Sequence, residues 1–108
     1  MKSIKASEVV VGDTILIIDN ASYLTFIPNV FLRVSKVKVE QQEPERVVFF
    51  GTGTIIERNK DKEHSLKGVS TTSWWSVFKK NENKVVIKRI TDQIAIIESM
   101  LAIKEIWE

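Results

Sequence analysis

Short apolar stretches separated by turn residues run through the first ninety positions of the chain. They are rich in β-branched and aromatic residues, and most are too short for helices. The pattern predicts strands over residues 14–19, 23–27, 30–40, 47–50, 54–58, 68–78 and 85–90. Connections this short leave no room for crossover helices, so we expect the strands to pair antiparallel.

The apolar positions of the segment 30–40 change phase part-way along it. Even-numbered positions are apolar up to Val34, whereas odd-numbered positions are apolar from Val37 onward. A period of two cannot change phase without an extra residue or a sharp bend. We therefore predict a β-bulge near Ser35-Lys36, of the kind that bends long strands and helps small barrels to close.

A helical period replaces the strand pattern from Thr91, which is a favourable N-cap residue. One apolar stripe of this segment consists of Ile94, Ile97 and Leu101, and a second consists of Ile96, Met100, Ile103 and Trp107. Together the stripes cover about half the helix circumference, which is wider than the roughly 100° arc of an ordinary surface helix. If the first stripe packs on the sheet, the second is free to contact another protein or a second copy. The alternative is that the whole helix is buried in a concave sheet.

These patterns together predict one mainly β (α+β) domain over residues 1–108, a length that suits a single core. We expect a small, bent antiparallel β-barrel or half-barrel of five to seven strands over 1–90, followed by one C-terminal α-helix over 91–108. The turn Val11-Gly12-Asp13, which leads directly into the apolar strand 14–18, resembles the opening of SH3-like and related small barrels. The predicted domain is also SH3-like in size.

Composition excludes several classes of protein. The chain has no cysteine, so it has neither disulfides nor thiolate metal sites. Its net charge is +2, but residues 58–90 hold nine basic and three acidic groups, and residues 91–108 hold one basic and four acidic groups. With no apolar run long enough for a signal peptide or a membrane span, we expect a cytoplasmic protein. A small chain rich in lysine and isoleucine is also the kind that a phage or mobile element encodes.

Catalytic and metal-binding chemistry has little support in the sequence. His64 is the only histidine and lies in a polar stretch, where a solvated side chain is the simplest interpretation. Glu43 and Glu45 flank a proline in a predicted loop, and the segment 51–53 is followed by a strand pattern rather than a phosphate-binding helix. We therefore predict no enzyme activity, no metal and no cofactor.

Binding chemistry concentrates in the segment 71–89 and in the predicted helix. Trp74 and Trp75 point to opposite faces of the predicted strand 68–78. One face joins the core, and the other is either covered by the C-terminal helix or open for contact. Our first hypothesis is a protein-interaction domain that binds a partner or itself, most simply as a dimer. Its contact residues would be Ile96, Met100, Ile103, Trp107 and Trp75.

The alternative hypothesis is nucleic-acid binding by a basic hairpin, in which an aromatic ring stacks on bases and cations meet phosphates. Its residues would be Trp75, Lys79, Lys80, Lys84, Lys88 and Arg89. A third hypothesis is a small-ligand pocket enclosed between the barrel and the helix.

Overall fold

The computed structural model describes residues 3–21, 25–60 and 66–90. The strands are β1 (Ser3–Ile4), β2 (Thr14–Asp19), β3 (Phe26–Glu40), β4 (Arg46–Asn59), β5 (Leu66–Phe78) and β6 (Val85–Arg89). Two 3₁₀ turns, Ala6–Glu8 and Lys79–Lys84, precede β2 and β6. The helix predicted over 91–108 lies outside the described residues. Within the described ranges, no helix has the length and hydropathy needed to cross a membrane.

All six strands form one antiparallel sheet in the order β1-β6-β2-β3-β4-β5. The prediction of a mainly β, antiparallel domain is thereby confirmed. In the described residues the sheet is open, with β1 and β5 as its edges, so a closed barrel is not observed. The sheet nevertheless curls, because the Trp75 indole of β5 reaches the Asp19 carboxylate of β2 across two intervening strands.

The inner face of the curled sheet carries the core. Alternation places Ile15 and Ile17 of β2 on this face, opposite Leu32 and Val30 of β3, and none of the four is more than 1% exposed. Burying one such side chain stabilises the fold by about 1.5–3 kcal/mol. The buried core consists of Val9, Ile15, Ile17, Val30, Leu32, Val34, Phe49, Val77 and Ile87.

The predicted bulge in β3 is confirmed. The register between β3 and β4 shifts between Val34 and Lys36, and the hydroxyl of the extra residue, Ser35, donates a hydrogen bond to the carbonyl oxygen of Phe50 at 3.2 Å. Val34 therefore stays on the inner face, as does Val37 after the bulge. The same change of phase places Lys36 and Lys38, which alternate with Val37, on the opposite face of the sheet.

Two predicted strand breaks are wrong. Pro28-Asn29 lies within β3. The pairing of β2 with β3 ends at Asn29, so the missing N–H of Pro28 removes no hydrogen bond to β2. Gly51 and Gly53 lie within β4. A Cβ at Gly51 would collide with the carbonyl oxygen of Arg33, so glycine lets the two backbones approach closely while the strand continues.

The sequence Asn81-Glu82-Asn83 within 79–84 predicts a hairpin-like connection between the last two strands, and this prediction is also wrong. This segment is a 3₁₀ turn, and the strands that it joins are not neighbours, because β5 is one edge of the sheet and β6 lies beside the other edge. The turn is attached at both ends, by the Lys79 N–H to the Glu45 carbonyl oxygen and by the Asn20 N–H to the Lys84 carbonyl oxygen. A turn-like sequence between two strands therefore does not show that the strands are neighbours in the sheet.

Candidate functional site

The outer face of β3–β5 is built from rows of residues that pair across three strands. Residues directly opposite each other in antiparallel strands point to the same side of the sheet. Pairing gives the rows Glu40–Arg46–Phe78, Lys38–Val48–Ser76 and Lys36–Phe50–Trp74, and next to them Arg33–Thr52. We call these eleven residues the outer face. Seven of the eleven residues are therefore aromatic or basic.

Trp74 is the most accessible ring of the outer face, with 48% of its surface exposed. The phase of β5 changes between Thr72 and Trp74, where the register with β4 shifts. At this irregularity the Thr72 hydroxyl donates to the carbonyl oxygen of Trp74 at 2.7 Å and accepts from its N–H at 3.3 Å. The Thr72 side chain therefore holds the backbone that presents the Trp74 indole.

Cations sit over two of the aromatic rings. The Lys36 ammonium lies 5.5 Å from the centre of the Phe50 ring. The Phe78 ring has two such neighbours, the Arg46 guanidinium and the Lys80 ammonium, each at 5.8 Å. These separations are within the range of cation–π attraction, which holds the charges above the rings rather than away from them.

The outer face has a positive balance of charge. Glu40 is the one acidic residue that β3, β4 and β5 contribute to it, and it is engaged by Arg46 at 2.6 Å and by Lys38 at 3.6 Å. The hydrogen bond from Arg46 holds the pKa of Glu40 below its usual value, aided by the positive charge of Lys38. Within the described part of the chain, Arg33 and Lys36 form no ion pair, so their charges are available to an anionic ligand.

No protein-family model, curated protein or solved structure matches this chain. The functional argument therefore depends on the chemistry of the face itself. Among the described residues no three histidine or acidic side chains converge as a metal site would require.

Trp75, which we predicted to be a contact residue, lies on the inner face. It pairs with the buried Phe49, packs against the core, and donates its indole N–H to the Asp19 carboxylate at 3.2 Å. The sequence correctly placed Trp74 and Trp75 on opposite faces, but we chose the wrong one as the exposed ring. The pairing partner decides the matter, because Phe49 is core and Phe50 is not.

The basic residues predicted to form one patch are dispersed. Lys79 pairs with Glu45 at 3.2 Å, and Lys80 lies over the Phe78 ring beside the outer face. Arg89 is bound to the Asp13 carboxylate at 3.1 Å and to the Glu8 carbonyl oxygen at 2.7 Å, so it stabilises the turn before β2.

The other two basic residues of the predicted patch lie elsewhere. Lys84 is exposed at the end of the second 3₁₀ turn, beside Asn20. Lys88 is on β6, opposite Leu16, on the far side of the sheet from β5.

The helix residues of the first hypothesis, Ile96, Met100, Ile103 and Trp107, lie outside the described residues, as does His64. Binding of a protein partner or of a second copy through them stays a prediction. Mass measurement in solution, with and without Trp107→Glu, tests it. A monomer in both cases would contradict self-association through this stripe.

Sequence reasoning missed most of the outer face. Lys36, Lys38 and Phe50 were treated only as polar or apolar positions of their strands, and Arg33 was not considered. The phase change at Ser35 was a usable signal, because it implies that Lys36 and Lys38 oppose the core-facing Val37. Their position beside Phe50 and Trp74 depends on the pairing of β3, β4 and β5, which no local pattern reveals.

Proposed function

We propose that this chain is a non-enzymatic nucleic-acid-binding domain and that the outer face of β3–β5 is its binding surface. The observation that carries the proposal is the row Lys36–Phe50–Trp74, in which an exposed lysine over a phenyl ring lies beside a half-exposed indole. Among the described residues the lysine has no carboxylate partner. Aromatic rings beside cations are the combination by which proteins stack on bases and attract phosphates.

The electrostatics of the outer face support the same proposal. Phosphates of a nucleic acid need accessible cations, and Arg33, Lys36 and Lys38 are all exposed. The single carboxylate of the face, Glu40, is already neutralised by Arg46. A protein partner of ordinary composition would not require this concentration of positive charge next to the most exposed ring.

Replacing Trp74 by alanine tests the proposal. We expect the change to weaken the binding of a fluorescently labelled oligonucleotide, measured by anisotropy at low salt, by about 1–3 kcal/mol, the usual contribution of one stacked ring. Val69→Ala is the matched control, because Val69 is also exposed on β5, at 43%, but offers no ring. Absence of binding at micromolar protein, or equal binding by the Trp74 variant, would contradict the proposal.

A closed, SH3-like barrel with a C-terminal helix is the finer form of the fold that we propose. Two features of the described residues support it: the second 3₁₀ turn takes the chain from the β5 edge to β6, and the Trp75–Asp19 bond joins β5 to β2. The helical period of residues 91–108 supports the helix. An experimental structure of the full chain would test both features.

A further inference from the structure

Apart from Arg46 of β4, which pairs with Glu40, the cations and the rings of the outer face lie in neighbouring columns. Arg33, Lys36 and Lys38 all belong to β3. The rings belong to the next two strands, with Phe50 on β4 and Trp74 and Phe78 on β5. A ligand lying on this face therefore meets charge along one side and aromatic surface along the other.

The column of cations exists because of the bulge at Ser35. In an unbroken strand, Arg33 and Lys36 would point to opposite faces, since they are an odd number of positions apart. The extra residue restores them to one side, where Arg33 pairs with Thr52 and Lys36 pairs with Phe50. From Arg33 to Lys38 the column matches the four steps from Thr52 to Val48 on β4, so it is about 13 Å long at roughly 3.3 Å per strand residue.

We propose that the ligand is single-stranded nucleic acid, with its phosphodiester backbone running along β3 and a base stacked on Trp74 of β5. This inference rests on the proposed function and specifies its substrate class and orientation. Three cations in line match the regular phosphates of an extended strand, although Lys38 must leave Glu40, which Arg46 still pairs. The Trp74 ring beside them receives a base that projects to one side of the strand.

A duplex fits the same surface poorly. Its bases are stacked on one another, so their flat faces are not available to Trp74 except at the ends. Groove recognition commonly uses an inserted helix or a two-stranded ribbon. The helical segments that the structure describes are 3₁₀ turns of three and six residues. The cations of the outer face lie on a broad sheet beside the rings, a surface suited to an unpaired strand.

Anisotropy with four labelled probes tests the inference on the full chain: oligo(dT), oligo(U), a duplex of the same length, and oligo(dT) with abasic sites at its centre. We expect a single strand to bind at least tenfold more tightly than the duplex, and the two homopolymers show whether DNA or RNA is preferred. Trp74→Ala should weaken binding of the intact strand about 5- to 140-fold, with Trp74→Phe close to wild type. Trp74→Ala should scarcely affect the abasic probe.

Salt dependence separates the column of cations from the column of rings. Three phosphate contacts predict a slope of log K against log salt of about −2 for a single strand, and each lost contact reduces its magnitude by about 0.7. Lys36→Gln should therefore reduce the slope, while Trp74→Ala should lower affinity without changing it. Lys84→Gln is the matched control, because Lys84 is an exposed lysine that belongs to none of the outer-face rows.

The outcomes distinguish this inference from the proposed function. If the duplex binds as tightly as the single strands and Trp74→Ala weakens it, the face binds nucleic acid but the single-strand inference is wrong. If Trp74→Ala weakens the abasic and intact probes equally, or if Lys84→Gln reduces the slope as much as Lys36→Gln, the orientation is wrong. If no probe binds at micromolar protein, both proposals fail.

Discussion

Replacing Trp75 by phenylalanine should destabilise the fold without weakening ligand binding, the reverse of what we expect for Trp74. The phenyl ring still packs against the core, but it lacks the N–H that bonds the Asp19 carboxylate at 3.2 Å. Asp19 is only 7% exposed, so water cannot readily replace the lost donor. The Ala21 N–H continues to bond the carboxylate, at 3.0 Å.

The magnitude follows from the charge on the acceptor. A hydrogen bond to a charged group contributes about 1.5–3 kcal/mol to stability. Unfolding entropy of about 2.1 cal/mol/K per residue gives about 0.23 kcal/mol/K for 108 residues, so the loss corresponds to a fall in Tm of about 7–13 °C. Trp74→Phe, one residue away on the exposed side of β5, should change stability by less than about 0.5 kcal/mol.

Thermal unfolding followed by far-ultraviolet circular dichroism compares the two variants, because this signal does not depend on which tryptophan is removed. The account predicts a clearly lower Tm for Trp75→Phe and an almost unchanged Tm for Trp74→Phe. Equal melting temperatures would refute the reasoning, because they would mean that the bond between β5 and β2 does not maintain the curl of the sheet.

Two further predictions concern the close approach of β3 and β4 at Gly51 and the Glu40 carboxylate of the outer face. Gly51→Ala should destabilise the protein by about 1–3 kcal/mol in urea unfolding, because its Cβ meets the Arg33 carbonyl oxygen, whereas Gly68→Ala, with nothing within 4 Å, should be tolerated. The Glu40 carboxyl should titrate below its usual pKa by NMR and return towards it in Arg46→Gln. Since the folded-state pKa is lowered, this pair stabilises the protein above the ordinary glutamate pKa and ceases to do so as the pH falls through the lowered value.

Periodicity predicted the parts of the fold that depend on local alternation. The apolar run of β2, the bulge at Ser35 and the opposite orientations of Trp74 and Trp75 all follow from the two-residue period of a strand. Turn chemistry was equally informative, because Gly12 has a φ of +97° and the Asp13 carboxylate accepts the Val10 N–H, as the Val11-Gly12-Asp13 motif predicts.

Long-range pairing accounts for the errors. Whether Pro28 breaks a strand depends on how far β2 extends beside it, and whether the segment 79–84 is a hairpin depends on which strands are neighbours. The identity of the exposed tryptophan depends in the same way on the register between β4 and β5. None of these facts is encoded within a window of a few residues, so the candidate site emerged only when three strands were aligned.

The most direct test of the outer face is an NMR titration of the nitrogen-15-labelled full chain with oligo(dT) and oligo(U), following the indole N–H signals of its tryptophans. The account predicts a large, saturable shift of the Trp74 indole together with the backbone signals of Lys36 and Phe50, while the Trp75 indole, bonded to Asp19 inside the sheet, shifts little. A Trp74 signal that stays still at saturating oligonucleotide, or a response centred on Lys84 and Arg89 instead, would contradict it.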